Sequence, residues 1–386
     1  MAVPFAYNLR SLAVRRVSVA MTAGGVALVV AVFLATLALA GGLERAFVET
    51  GQPENVLVIR QGSLVETSSA LSREQWQVLR FLPGVARDAG GQPVASAEVV
   101  VLFYLQRPDG VAANVMMRGV GRQGFLLRPR LRLVAGRRFV PGRREVIVAA
   151  SLARRFVGLD LGARVPLGSE SWRIVGLFEA GRTAVDSEIW GDAEEVARAY
   201  DRDQFSSALL RTTGRAQRDA LIERVAGDPR LALKPLVETD YYAEQTVSAR
   251  PVKFVGLFMA GVMAVGAAFA AMNTMYAAVA SRGQEIATMR LLGFRRRQIL
   301  TAFLLESLLV ALVGGVLGCL LALPLNGLST GTVNFRTFSE VTFDFRIGWD
   351  LILDGLLFAA AVGLAGGLLP AVRAARQPLA TAIRAE

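Results

Sequence analysis

The sequence predicts an α-helical membrane protein with four transmembrane helices and a large α+β domain between the first and second spans. Three observations predict it. Four charge-poor apolar stretches reach the ~20 residues that a helix needs to cross a bilayer. The stretch Leu43–Pro251 has no such segment and mixes charged residues with short β-rich runs. The whole chain of 386 residues is 53% hydrophobic, with a mean hydropathy of +0.43, too apolar for an ordinary soluble protein.

Residues 1–16 hold Arg10, Arg15 and Arg16 among Phe5, Tyr7, Leu9 and Leu12, and read as an interfacial segment on the cytoplasmic side. Residues 17–42 are free of charge and form the first span. Ala38-Leu39-Ala40 is a possible signal-peptidase site, but the apolar region exceeds the ~7–15 residues of a signal peptide, so an anchor is favoured. Either outcome sends the next segment across the membrane.

Residues 43–251 form the outside domain. NVLVIR at Asn55–Arg60 reads as a strand, and Ser72 with Gln75 forms a capping box for a helix through Leu82. Glu98–Gln106 and Ala113–Gly119 read as strands joined by the turn Arg107-Pro108-Asp109-Gly110. Strands follow at Glu145–Ala149, Arg164–Leu167 and Trp172–Phe178, with short helices at Ser151–Phe156 and Ala193–Tyr200. Ser207–Arg211, a helix over Ala216–Ala226 and Leu231–Pro235 close the domain. This order suggests one α+β layer from 55–119 and 207–235, interrupted by a β-rich insertion at 120–203. Thr239–Arg250 reads as a helix running straight into the second span at 252–281, or as an ordinary connector.

Residues 282–298 carry Arg282, Arg290, Arg295, Arg296 and Arg297 against Glu285 alone, so this connector stays on the cytoplasmic side. Ile286, Met289, Leu291 and Leu292 fit one apolar face of a short helix, which Gly293 can stop. The third span, 299–325, has Glu306 as its only charge. A relay role for Glu306 competes with pairing to a nearby arginine such as Arg297; the pairing is favoured because the residue lies near the cytoplasmic end. An outside loop at 326–348 contains Phe335, Phe338, Phe343 and Phe345, the fourth span covers 349–372, and a cytoplasmic tail covers 373–386. Gly314, Gly315 and Gly318, with Gly363 and Gly367, are spaced for close helix approach, within the subunit by default.

The +11 charge is explained by arginines flanking the spans, and no nucleic-acid reading motif accompanies it. The absence of histidine excludes His-based triads and His/Cys zinc sites, and the single Cys319 excludes an internal disulfide. No G-x-x-x-x-G-K-[ST] loop occurs in the sequence. No catalytic residue and no metal ligand is therefore nominated.

The stretch QEIATMRLLGFRRRQI, followed by LLESLLVALVGGVLG, resembles the permeases of the MacB/FtsX-like family of ABC transporters, the type VII, mechanotransmission class. The matching positions are Glu285, Ile286, Met289, Arg290, Gly293, Glu306, Gly314, Gly315 and Gly318, and the ending LLPAVRAARQPLATAIRAE is also similar. GRRFVPGRREVIV at Gly136–Val148 is similar to a recurrent element of that family's outside domain. The resemblance implies a MacB-like periplasmic domain with a porter-like part interrupted by a β-rich part, in a multi-pass protein of the bacterial inner membrane. It implies an ATPase-coupling helix at 282–298 carrying Glu285, Ile286, Met289, Arg290, Leu292 and Gly293. The expected partners are two copies of an ABC ATPase holding ATP and Mg, a second permease copy or paralogue and membrane lipids, with a periplasmic membrane-fusion protein as a further candidate. No cofactor is expected on this chain. The implied function is non-enzymatic coupling of ATP hydrolysis to export or extraction of an envelope substrate. The alternative is an FtsX-like scaffold that activates a cell-wall hydrolase.

Overall fold

The computed structural model describes residues 16–246, 249–334 and 336–377. Most of the expected interfacial segment (1–15), Phe335 of the outside loop and tail residues 378–386 lie outside the described residues. The chain divides into a helical unit, Met1–Gly41, Pro251–Leu328 and Phe345–Glu386, and an outer unit, Gly42–Arg250 and Ser329–Asp344.

Among the described residues four helices are long and apolar enough to cross a membrane: Arg16–Val48, Lys253–Ser281, Arg296–Leu325 and Trp349–Arg376. In lipid only a helix satisfies every backbone group of a single segment, so such sequences have no competing solution. Their packing follows from small residues. The third-span Gly318 faces the first span so closely that a Cβ would sit 2.6 Å from the Ala27 carbonyl oxygen, and Gly314 meets Ala23 in the same way. Gly315 packs on Ala359 of the fourth span, while Gly363 and Gly367 face Ala311 and Ser307. All five glycines thus serve contacts within one subunit. Cys319 is buried with Val26, Val30, Leu34 and Ala359 in the same core, where its small apolar side chain fits. Phe33 and Phe358 stack at 4.3 Å between first and fourth spans.

Among the described residues the outer unit has twelve strands: β1 Asn55–Arg60, β2 Ala95–Gln106, β3 Ala112–Val120, β4 Arg132–Gly136, β5 Glu145–Ala149, β6 Arg164–Leu167, β7 Glu170–Glu179, β8 Glu188–Asp192, β9 Ser207–Arg211, β10 Leu233–Val237, β11 Ser329–Val333 and β12 Glu340–Asp344. Ten of them make one sheet in the order β10-β1-β9-β2-β3-β8-β5-β7-β4, with β6 on β7. The sequence separates 55–119 and 207–235 from 120–203. In the structure β3 pairs in parallel with β8, Met116 opposite Glu188 through Val120 opposite Asp192, so the sheet runs unbroken through both parts. An unpaired β3 would expose a row of backbone donors and acceptors, and β8 supplies their partners. One apolar core accordingly contains Val56 and Val99 together with Trp172 and Trp190.

Two segments read coarsely from the sequence are resolved further. Thr239–Arg250, read as a helix into the second span or as an ordinary connector, carries the end of the helix Glu238–Gln245 and the start of the helix Ala249–Ser281, with residues 247–248 outside the described residues. The first ends where the Thr246 N–H turns back to the Ala243 carbonyl. Within the outside loop at 326–348, β11 and β12 pair as an antiparallel hairpin, Ser329 opposite Asp344 through Val333 opposite Glu340.

Candidate functional site

The coupling segment forms a helix over Gly283–Leu291. Gly293 ends it in a Schellman arrangement, with φ +92°, its N–H on the Arg290 carbonyl at 3.2 Å and the Phe294 N–H on Met289 at 3.1 Å. The other end is tied down by Arg282. Its Nη1 donates to Glu306 Oε2 at 2.8 Å, and the two side chains are 9% and 4% exposed. The Arg282 guanidinium also lies over the Phe303 ring at 6.0 Å and stands 3.8 Å from Glu285. Glu306 therefore pairs with an arginine, as the sequence favoured, and the partner is the one that begins the short helix, where the sequence offered Arg297 as an example. Arg297 sits in the first turn of the third-span helix and is exposed, while Arg282 enters from the end of the second span. A cavity of about 30 Å³, bordered by Ser18, Thr22, Thr274 and Ser307, adjoins Glu306, enough for one or two waters.

The apolar residues of the segment do not share one face. Ile286 is 1% exposed and packs with Met275, Val279, Phe303 and Ala371, with the half-buried Met289 beside it. Leu291 and Leu292 are 64% and 74% exposed. At ~100° per residue, Leu291 and Leu292 lie more than a quarter turn round from Ile286. Ile286 is thus spent on the chain's own bundle, with the half-buried Met289 packed against the same cluster. Leu291, Leu292 and the half-exposed Glu285 remain outward, with Arg290 half-buried.

In the outer unit, the hairpin that chain connectivity places between the third and fourth spans is held by polar contacts. Glu340, 1% exposed, takes ion pairs from both Arg107 and Arg155. Asn334 donates to Gln245 at 2.8 Å, the Thr342 N–H donates to Ser187 Oγ at 2.7 Å, and Arg182 reaches Asp344 at 3.0 Å. Gln245 ends the helix that precedes the second span, so the hairpin contacts a second connector as well.

Beneath it lies a buried charge cluster that the sequence reading missed. Arg118 on β3 bonds Glu66 at 2.9 Å, Glu98 at 2.7 Å and Glu188 at 2.9 Å, and Arg128 forks onto Glu98 at 2.6 and 2.9 Å. Ser207 and Trp190 complete Glu66 and Glu188. Burial alone would push the Glu98 carboxyl up, but Arg128 and Arg118 hold it below the usual range. Glu238 is the opposite case. Burial raises its pKa, although Arg128, the Gln52 N–H and the Asn55 amide favour the ion. Its Oε1 has no hydrogen-bond partner. The sequence signal was a charged residue inside an apolar strand run: Arg118 after NVMM, Glu98 before VVVLF, Glu188 before IW. Such a cluster fixes strand pairing and is weak evidence for stability. Among the described residues no group of three acidic, Cys or His side chains is placed to hold a metal.

Four apolar helices joined to an outer mixed sheet, with a short helix held between the second and third spans, define a membrane permease. Residues 257–379 match the family model described as FtsX-like permease C-terminal, and residues 19–227 match the MacB-like periplasmic core domain. The chain belongs to the MacB/FtsX-like family of ABC permeases. It is 24% identical over 333 residues to the macrolide export ATP-binding/permease protein MacB of Agrobacterium fabrum, covering 78% of this chain and 49% of that one. It is 32% identical over 129 residues to the uncharacterized ABC transporter permease YknZ of Bacillus subtilis, covering 33% of this chain and 30% of that one. The chain spans about half the length of the MacB relatives it matches. The periplasmic region of MacB from Actinobacillus actinomycetemcomitans superposes with a TM-score of 0.38 at 12% identity, over 52% of this chain and 95% of that one.

Proposed function

We propose that this chain is the transmembrane subunit of an inner-membrane ABC complex that converts ATP hydrolysis by a separate ATPase subunit into movement of its periplasmic domain. Two ATPase copies and a second permease copy or paralogue would complete it. The observation that carries this reading is the division of labour on helix Gly283–Leu291. One side is locked into the bundle through Ile286 and the Arg282–Glu306 pair, while Leu291 and Leu292 stand in the open. A tether lying passively on lipid gains nothing from a buried ion pair at its root. A helix that must pass force from a docked partner to the third span requires one.

Force on the third and fourth spans reaches the outer unit through the hairpin joined to both. The substrate would be an envelope amphiphile, peptide or drug-like molecule handled outside the membrane or in its outer leaflet, by export or extraction. Copurification of the ATPase with Leu292→Asp and Ile286→Asp permeases, at matched membrane levels, tests the docking surface. Because buried anchors dominate an interface, Leu292→Asp should lose the ATPase while its permease still inserts. Ile286→Asp should instead destabilise the permease itself. Full ATPase recovery with Leu292→Asp would reduce the segment to a lipid-lying tether. Recovery of a cell-wall hydrolase, with ATPase-dependent activation of it, would favour the signalling scaffold.

A further inference from the structure

The β-rich part of the outer unit carries arginines that the coupling reading does not use. Arg164 on β6 stands directly opposite Arg173 on β7 in an antiparallel pair, and both are exposed. Like charges in that position repel, at a cross-strand Cβ separation of ~5 Å. Neither side chain makes a hydrogen bond or ion pair with any described residue. The Arg173 N–H donates to the Arg144 carbonyl at 3.0 Å, which draws the turn Arg143-Arg144 alongside. Arg143 is exposed there, with no ion pair of its own.

The neighbouring arginines show what these guanidinium groups take when a partner is present. Arg137 forks onto Glu145 at 2.6 and 2.7 Å, and Arg144 reaches Glu170 at 2.6 Å. Glu145 stands opposite Arg173 on β5 and also feels the charge of Arg143, so this one carboxylate, already forked by Arg137, is left to offset several arginines, and the facing pair Arg164 and Arg173 carries an excess of positive charge. Asp160 is exposed nearby in the chain but forms no ion pair with them. Val140, whose carbonyl accepts from the Arg143 N–H at 3.3 Å, is 40% exposed, and Leu161, which precedes Gly162, whose N–H donates to the Ile174 carbonyl at 2.8 Å, is 47% exposed.

We propose that this face binds the phosphate group of an anionic amphiphile, gripped between Arg164 and Arg173 with Arg143 at its side, while Leu161 and Val140 receive the adjoining acyl chain. Two facing guanidinium forks and a third cation suit a phosphate, which offers three acceptor oxygens and up to two charges. A carboxylate offers two oxygens and one charge, and would leave two of the three arginines uncompensated, against one for a doubly charged phosphate. The apolar residues at the rim distinguish a lipid phosphate from a free anion. This binding role is separate from mechanical coupling and does not depend on it.

The test is calorimetric titration of the full-length permease, in zwitterionic detergent, with four probes: dihexanoyl phosphatidic acid below its micelle concentration, dihexanoyl phosphatidylcholine, inorganic phosphate and a polyglutamate peptide. Wild type should prefer phosphatidic acid to phosphatidylcholine by about tenfold or more, and Arg164→Ser/Arg173→Ser should lose that preference. Arg215→Ser, an exposed arginine on a different helix, should leave it unchanged. Arg173→Glu would pair with Arg164 across the strands. It should abolish binding while raising the thermal midpoint, which separates loss of the site from loss of the fold. Equal binding of the two lipids, or unchanged binding in the double variant, would overturn the proposal. Inorganic phosphate binding as tightly as the lipid would overturn the amphiphile. Peptide binding tighter than lipid, and lost in the double variant, would replace it with an acidic protein partner.

Discussion

Breaking the Arg282–Glu306 pair should loosen the short helix from the bundle by a predictable amount. Both side chains are less than a tenth exposed, so solvent screening does little to weaken the interaction. Glu306→Gln leaves the guanidinium with the half-exposed Glu285 at 3.8 Å in place of its buried counter-charge, and removal of one partner of a buried pair costs up to about 3–5 kcal/mol. Replacing both by apolar side chains of similar size is often close to neutral. Arg282→Met/Glu306→Met should therefore restore most of what either single change removes. The assay is hydrogen exchange of the amides over 283–291 in the detergent-solubilised permease, where local opening sets the rate. A loss of about 3 kcal/mol corresponds to roughly hundredfold faster exchange in Glu306→Gln, with recovery in the double variant. Exchange within a few-fold of wild type in Glu306→Gln would show that the pair does not anchor the helix. A double variant worse than either single change would show that the two residues act through other partners. If the pair also transmits force, ATPase stimulation by the permease should fall with the single change even where the ATPase still copurifies.

Two further outcomes concern the outer unit. Glu340→Gln removes the one carboxylate shared by Arg107 and Arg155, and should weaken the hairpin by roughly 2–3 kcal/mol. Tryptic cleavage after Arg336 should accelerate in this variant, and an unchanged rate would contradict the hairpin's polar anchoring. Glu238 carries a raised pKa because burial penalises its charge, so the folded state holds its proton to higher pH than the unfolded chain. Its contribution to stability is therefore present below the ordinary glutamate range and fades as pH rises through the folded-state value. Glu238→Gln should flatten that part of the pH dependence of unfolding, followed by the fluorescence of the buried Trp172 and Trp190; an identical pH profile would remove Glu238 from the account.

The capping box at Ser72 and Gln75 was legible because both halves of the motif are local, and the structure shows both bonds. The stop at Gly293 was legible for the same reason: a left-handed residue after a helix is a one-residue requirement. The parallel pairing of β3 with β8 was not. It joins residues about seventy positions apart, and nothing in either strand names its partner. The hairpin at 329–344 escaped because its residues STGTV and EVTFD form a weak strand pattern, and its contacts are ion pairs to distant arginines.

The sequence by itself determined the four long apolar helices and the α+β character of the insertion, together with the charged segment between the second and third spans. Each of these depends on composition and period over a short window, which a bilayer or a sheet face reads directly. Only the tertiary structure decided which charges meet. Arg282 rather than Arg297 takes Glu306, and Arg118 gathers three carboxylates from separate strands and turns. It also decided that Ile286 turns inward while Leu292 remains outside. A short helix with apolar residues around more than one side has no preferred orientation of its own. The spans at its two ends impose one, and with it the surface left for a partner.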